Sequence, residues 1–344
     1  MKKNTVLILI LILNFTILGN VAYSISIDKN ESNQINQLKK KYLRPENIPH
    51  PEDNPYSKEK FELGKRLFFE TRISRSNITS CASCHNPSLL WADGLPVAVG
   101  DFHVLLTRKT QSIENLAWDE LFFWDGRAES LEDQVITSIT STQEINIDMS
   151  TAVEKLNLIK GYKPFLRAAY HVDNFSEEII RQTLATFMRE LVSDIAPFDR
   201  WIEGEENAIS ESAKLGFLLF NKKANCASCH SSWRFSDGSF HDIGLNTTDI
   251  GRGAFLKNLI LMQHAFKTST LRNIALHAPY MHNGSLKSLE EVIKHYNDGF
   301  IHRESLSNEI NKLNLTNEEQ NYILNFLLTL TSEKKEVNVP VLPQ

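Results

Sequence analysis

The chain has 344 residues, of which 42% are hydrophobic and 23% charged, with a formal net charge of −5 at neutral pH. That length and apolar share can fill two cores, and two domains are the default for it. The acidic balance argues against a nucleic-acid partner and agrees, though weakly, with docking of a basic electron carrier.

The opening residues read as an export signal. Met1-Lys2-Lys3 is a basic start, Val6 to Leu18 is apolar apart from Asn14 and Thr16, and small residues follow near Ala22 to Ser24. Residues 1–24 are therefore expected to be a signal peptide cut after Ser24. A retained anchor is the alternative, but the run is short for a bilayer span. Residues 25–45 are polar and read as a loose lead-in. From Ser57 to Phe69, and again from Ser210 to Phe220, a Ser opens a run with Leu and Phe at helical spacing. Further helices are expected over 152–160, 176–195, 288–296 and 316–330, the last opened by the capping box Thr316-x-x-Glu319. Pro197 to Ser210 is polar, carries a Pro and a Gly, and marks the expected boundary. It separates an N-terminal domain over 46–203 from a C-terminal domain over 204–344. Strand patterns are scarce. The stretches 86–111 and 231–263 have no period and read as long irregular loops, which are usually functional.

Each of the two helical lead-ins runs into the same pentapeptide: Cys81-Ala82-Ser83-Cys84-His85 and Cys226-Ala227-Ser228-Cys229-His230. C-x-x-C-H is the attachment signature of a c-type haem. Its two thiols form thioethers with the macrocycle, and its His reaches the iron. The chain has four Cys, all inside these motifs, so none is left for a disulfide or a separate zinc site. A thioredoxin-like pair or half a zinc ribbon would leave both His unexplained. The expected fold is all-α: two cytochrome c-like haem domains with long haem-wrapping loops. Covalent haem attachment takes place outside the cytoplasm, which agrees with export to the periplasm.

The stretch from Phe122 through Trp124-Asp125-Gly126-Arg127-Ala128 to Gln134 is more specific. With SCASCHNPS at 80–88, WADGLP at 91–96, APFDRW at 196–201, the run 266–284 and LEEVIKHY at 289–296, the chain resembles the bacterial diheme cytochrome c peroxidases and their MauG-type relatives. The resemblance implies that Trp124 relays electrons between the haems, that Gln134 stands near the peroxide site, and that Glu144 is the catalytic carboxylate. A carboxylate there moves a proton between the two oxygens of peroxide. Ser138 stands where the family usually has Pro, which is expected to loosen the loop holding Glu144. The family's resting His ligand on the N-terminal, peroxidatic side falls at Asp101. His103, two residues on, could slip into that place, but the expectation is that it is exposed. At the C-terminal haem, the resemblance puts the second axial ligand at Tyr296, with Met281 as the alternative, and sets His282 near the interface. The family's calcium ligand, an Asn, is replaced by Lys109, with carbonyls expected from His277 and Pro279. A Lys cannot ligate calcium, so its ammonium would take the cation's place.

Three functions compete on this reading. The leading expectation is a periplasmic peroxidase that reduces hydrogen peroxide with electrons from a small cytochrome c or cupredoxin. These electrons would enter at the C-terminal haem. The alternative is a MauG-like enzyme that uses peroxide to oxidise side chains of a partner protein; Tyr296 and Asp101 favour it. A plain diheme carrier has no need of Glu144. A homodimer is left open.

Overall fold

The computed structural model describes residues 27–333 and 336–344, and the expected signal peptide lies outside them. Eleven α-helices can be traced among the described residues. They are α1 (Lys29–Lys39), α2 (Lys58–Phe68), α3 (Cys81–Cys84), α4 (Leu131–Thr140), α5 (Met149–Asn157), α6 (Lys163–Tyr170), α7 (Glu177–Arg189), α8 (Pro197–Ile202), α9 (Glu211–Asn221), α10 (Leu289–Lys294) and α11 (Asn317–Leu328). The only strands there, β1 (Phe240–His241) and β2 (Phe266–Lys267), pair antiparallel with Phe240 opposite Lys267. The fold is all-α with long irregular loops. None of the described helices is long and apolar enough to cross a membrane.

Caps explain the helix starts. Ser57, Ser176 and Ser210 each accept the backbone N–H three residues on, the usual N-cap bond. Thr316 and Glu319 form the expected capping box. Two apolar cores follow. The first gathers Leu63, Leu67 and Phe68 of α2, Leu131 and Val135 of α4, Ala152 and Leu156 of α5, and Ile180, Leu184 and Phe187 of α7. The second is aromatic: Tyr42, Phe198, Phe217, Phe220, Phe235 and Phe326 pack with ring centroids 4.9–6.1 Å apart.

Two expectations need correction. Over its described part, residues 27–45, the expected lead-in is not loose. It contains α1, closed by a capping box between Asp28 and Glu31, and buries Ile35, Leu38 and Tyr42 in the second core. Lys39 fixes the helix by bonding the Trp201 carbonyl and Glu206 at 2.8 Å. The apolar positions Ile35 and Leu38 are too few to announce this against so polar a background. Nor is Pro197 to Ser210 a linker throughout, because α8 drives Phe198 and Trp201 into that same core. The change of core therefore comes before α8, ahead of the expected boundary at 203/204. At the other end the chain crosses back: Val337 packs on the first core. Pro343 and Gln344 accept bonds there from Arg72 and from the Gly161 backbone.

Candidate functional site

A single cavity of about 760 Å³ runs between the two cores and is lined by both pentapeptides. On the first side, α3 presents Cys81 and Cys84 within one turn, and His85 caps it by donating its N–H to the Cys81 carbonyl at 2.9 Å. On the second, a tight turn Cys226–Ser228 repeats the arrangement, with the His230 N–H on the Cys226 carbonyl at 2.9 Å. All four thiols are free. Burial pushes Cys81 and Cys226 up to about 12 and Cys84 to about 11. An exchange-active pair has its nucleophilic thiol lowered instead.

The histidines are set up as ligands. His85 Nδ1 bonds the Trp91 carbonyl at 3.1 Å and His230 Nδ1 the Phe235 carbonyl at 2.8 Å. Each ring thus keeps its proton on Nδ1, the usual outer-shell support of a His that binds metal through Nε2. Burial lowers both rings, which favours the neutral form that binds iron. Paired thiols, oriented imidazoles and an apolar, enclosed space fit a covalent haem on each side.

Above the first motif, the residues expected from the sequence converge. Glu144, Gln134, Ser138 and Arg127 all line the cavity. Burial raises the Glu144 carboxyl above its usual range, opposed by Ser138, Arg127 and Ser141. Arg127 reaches Glu144 at 3.7 Å and Asp125 at 3.1 Å, with its guanidinium 3.5 Å from the centre of the Phe123 ring. Sequence reading assigned Arg127 no role. Its place in the FWDGRA motif was the only available signal. Ser138 does not loosen the loop. Its hydroxyl takes the Gln134 amide N–H at 2.9 Å, and its carbonyl accepts the Ile145 N–H at 3.3 Å. It lies inside α4, one turn after Gln134, so its side chain ties the helix to the Glu144 segment.

Asp101 is fully buried and accepts bonds from the Ser76 backbone at 3.1 Å, the Ser76 hydroxyl, and Thr79 at 2.8 Å. Burial acts to raise it, but these bonds together hold it below the usual range. It is a loop anchor, and its N–H also donates to the Glu144 carbonyl at 2.7 Å. His103 is exposed and not part of the cavity lining.

Trp124 lines the same cavity between the two cores. Its indole N–H donates to the Lys109 carbonyl at 2.8 Å, and its carbonyl takes the Lys267 N–H at 2.8 Å. His282 lies edge-on to it at 6.4 Å and stacks on Phe266 at 3.6 Å. Arg108 spans the junction, pairing with Asp125 at 2.5 Å and Asp249 at 2.7 Å. On the second side both Tyr296 and Met281 face the cavity. Tyr296 follows α10 in a π-helical turn, His295–Gly299, a local form common at functional sites. Burial raises its phenol, and the Cys229 and Cys226 thiols add to this, which sets it beside the second pentapeptide.

Comparison with known proteins agrees with this geometry. Residues 58–207 match the family model described as di-haem cytochrome c peroxidase. The methylamine utilization protein MauG of Methylophilus methylotrophus is 45% identical over 339 residues, covering 98% of each chain. MauG of Methylorubrum extorquens is 48% identical, over 89% of this chain and 88% of that relative. Named cytochrome c peroxidases match at 27–31%. The crystal structure of a MauG-like protein associated with microbial copper homeostasis superposes with a TM-score of 0.78 at 29% identity, covering 85% of this chain and 94% of that one. Two C-x-x-C-H motifs, one shared cavity and whole-length relatives lead to one conclusion: the chain belongs to the di-haem cytochrome c peroxidase and MauG family, an oxidoreductase with two c-type haems.

Proposed function

We propose that this enzyme is MauG-like, using hydrogen peroxide to oxidise side chains of a partner protein, with electrons passing inward from that partner. The observation that carries the reading is whole-length identity of 45–48% to proteins named MauG, against 27–31% to named cytochrome c peroxidases. It displaces the leading expectation, a peroxidase fed by a small cytochrome or cupredoxin. Two features of the site support it. Neither position expected to close the first haem offers a histidine to it, since Asp101 is locked into its loop and His103 is outside the cavity. Tyr296 faces the cavity beside the second motif. Export to the periplasm is part of the same proposal and rests on residues 1–24 and on where haem c is attached.

The haems supply redox-active iron at which peroxide is reduced and through which electrons pass. Glu144, as a carboxylate, takes a proton from the near oxygen of peroxide and delivers it to the departing one; burial, which raises that carboxyl, makes it a better base for the first transfer. Arg127 and Ser138 orient the carboxylate. Trp124, held by the Lys109 carbonyl, fixes an indole between the two domains for electron transfer. The balance is two electrons and two protons from the partner's side chains, converting one peroxide to two waters.

The deciding experiment adds peroxide to the fully oxidised protein. A spectral change without prior reduction, with little consumption of reduced cytochrome c, is expected. Rapid turnover with cytochrome c that requires half-reduction first would restore the peroxidase reading.

A further inference from the structure

Among the described residues, Lys109 carries the only lysine ammonium that is buried with no hydrogen-bond partner. The residue is 8% exposed. Its backbone is fixed across the domain junction: its N–H donates to the His282 carbonyl at 2.7 Å, and its carbonyl holds the Trp124 indole at 2.8 Å. Its side chain borders the shared cavity, as does His277, whose two ring nitrogens are also buried without partners. With neither ring nitrogen engaged inside the protein, His277 has an N–H to give. The carboxylate with the strongest field on Lys109, Asp93, is itself engaged by Thr110 at 2.5 Å and the Leu95 backbone at 2.9 Å.

This corner of the cavity holds an unpartnered ammonium and an unpartnered imidazole, and Asp93 is already engaged. An unpaired buried ammonium costs several kcal/mol, and such groups either lose their proton or find an anion. The cavity is the haem space, and each haem carries two propionate carboxylates. We propose that the Lys109 ammonium is the counter-ion of a haem propionate at the junction between the two haem sites, with His277 as a second donor to the same carboxylate. The ammonium neutralises a propionate charge at the junction beside Trp124, and so stabilises the reduced form of the adjoining haem. The inference depends on haem occupancy alone and stands whichever substrate the enzyme oxidises.

The test is a spectroelectrochemical titration of the haem-loaded protein, comparing wild type with Lys109→Met and Lys109→Arg. Lys109→Met should move the midpoint of one haem to lower potential, and Lys109→Arg should return it most of the way. Wild-type midpoints at both haems of a fully loaded Lys109→Met protein would overturn the proposal, because a neutral lysine has no charge to lose. Should Lys109→Met fail to load haem, a crystal structure of the wild-type holoprotein decides. Nζ within hydrogen-bond distance of a propionate oxygen supports the pairing, and water or chloride in that place overturns it.

Discussion

Glu144 is useful because its surroundings pull it two ways. Burial favours the acid, while Ser138, Arg127 and Ser141 favour the anion. Its carboxyl therefore titrates above the ordinary carboxylate range, and a step that needs it ionised fails as pH falls through that raised value. Glu144→Gln should retain both haems and slow the peroxide reaction by about 10²-fold or more, the scale of a lost general acid–base; near-normal stopped-flow rates would reject the role. Ser138→Ala removes a group that favours the anion, so the acidic limb of the pH–rate profile should move to higher pH, while Ser138→Thr should leave it near wild type. At the second haem, Tyr296→Met should raise the midpoint potential and create a sulfur-to-iron charge-transfer band, since a phenolate ligand favours oxidised iron. A wild type that already shows the band, and loses it in Met281→Leu, would make Met281 the ligand. The pentapeptides were fully legible in the sequence because their chemistry is local. Glu144 and Gln134 were legible through their register with FWDGRA. The link through Ser138 was not, because which hydroxyl meets which carboxyl depends on how α4 meets the following turn.

The repeat of helical lead-ins has a packing reason that their sequence only half declares. Each carries a Leu-Gly pair, Leu63-Gly64 in α2 and Leu215-Gly216 in α9. Each Gly lies where a second helix crosses. A Cβ on Gly64 would come 2.2 Å from the Thr183 carbonyl oxygen of α7, and one on Gly216 would come 1.9 Å from the Tyr322 carbonyl oxygen of α11. Backbone meets backbone at both crossings, so Gly64→Ala and Gly216→Ala should each lower stability by about 1–3 kcal/mol or more, read as a drop in thermal midpoint. Helix periodicity revealed α2, α7, α9 and α11, whereas the crossing partners could not be read from either segment alone. The short helices α6 and α8 escaped notice because so few residues give no period to count. The lead-in helix α1 was masked by its polar composition. Its Ile35 is 4% exposed, and Ile35→Ala should cost about 2–4 kcal/mol.

On the scale of the whole molecule, the two cores are joined by charge as well as by the cavity. Arg108 bridges Asp125 and Asp249, Asp119 is shared by Arg234 and Lys267, and Glu114 takes a bond from Asn273 at 2.8 Å. Glu114 is 7% exposed, and burial raises it to about 7. Its folded value thus lies above its unfolded one, so the folded protein binds the extra proton. The resulting stability is full below about pH 4, the unfolded carboxylate range, and is lost as pH rises through 7. Thermal midpoints should fall between pH 5 and pH 8, and Glu114→Gln should flatten that slope; an unchanged slope would assign it elsewhere. The crossed ends of the chain bear on how the molecule is made. Residues 29–42 must wait for α8, α9 and α11 before their apolar side chains have a home, whereas the buried members of the first core all lie between Leu63 and Leu191. The second core is therefore not finished until nearly all of the polypeptide is present. The second pentapeptide should stay open during that interval, when its thiols can still be reached. The path of the chain would then place attachment of the second haem before closure of its core.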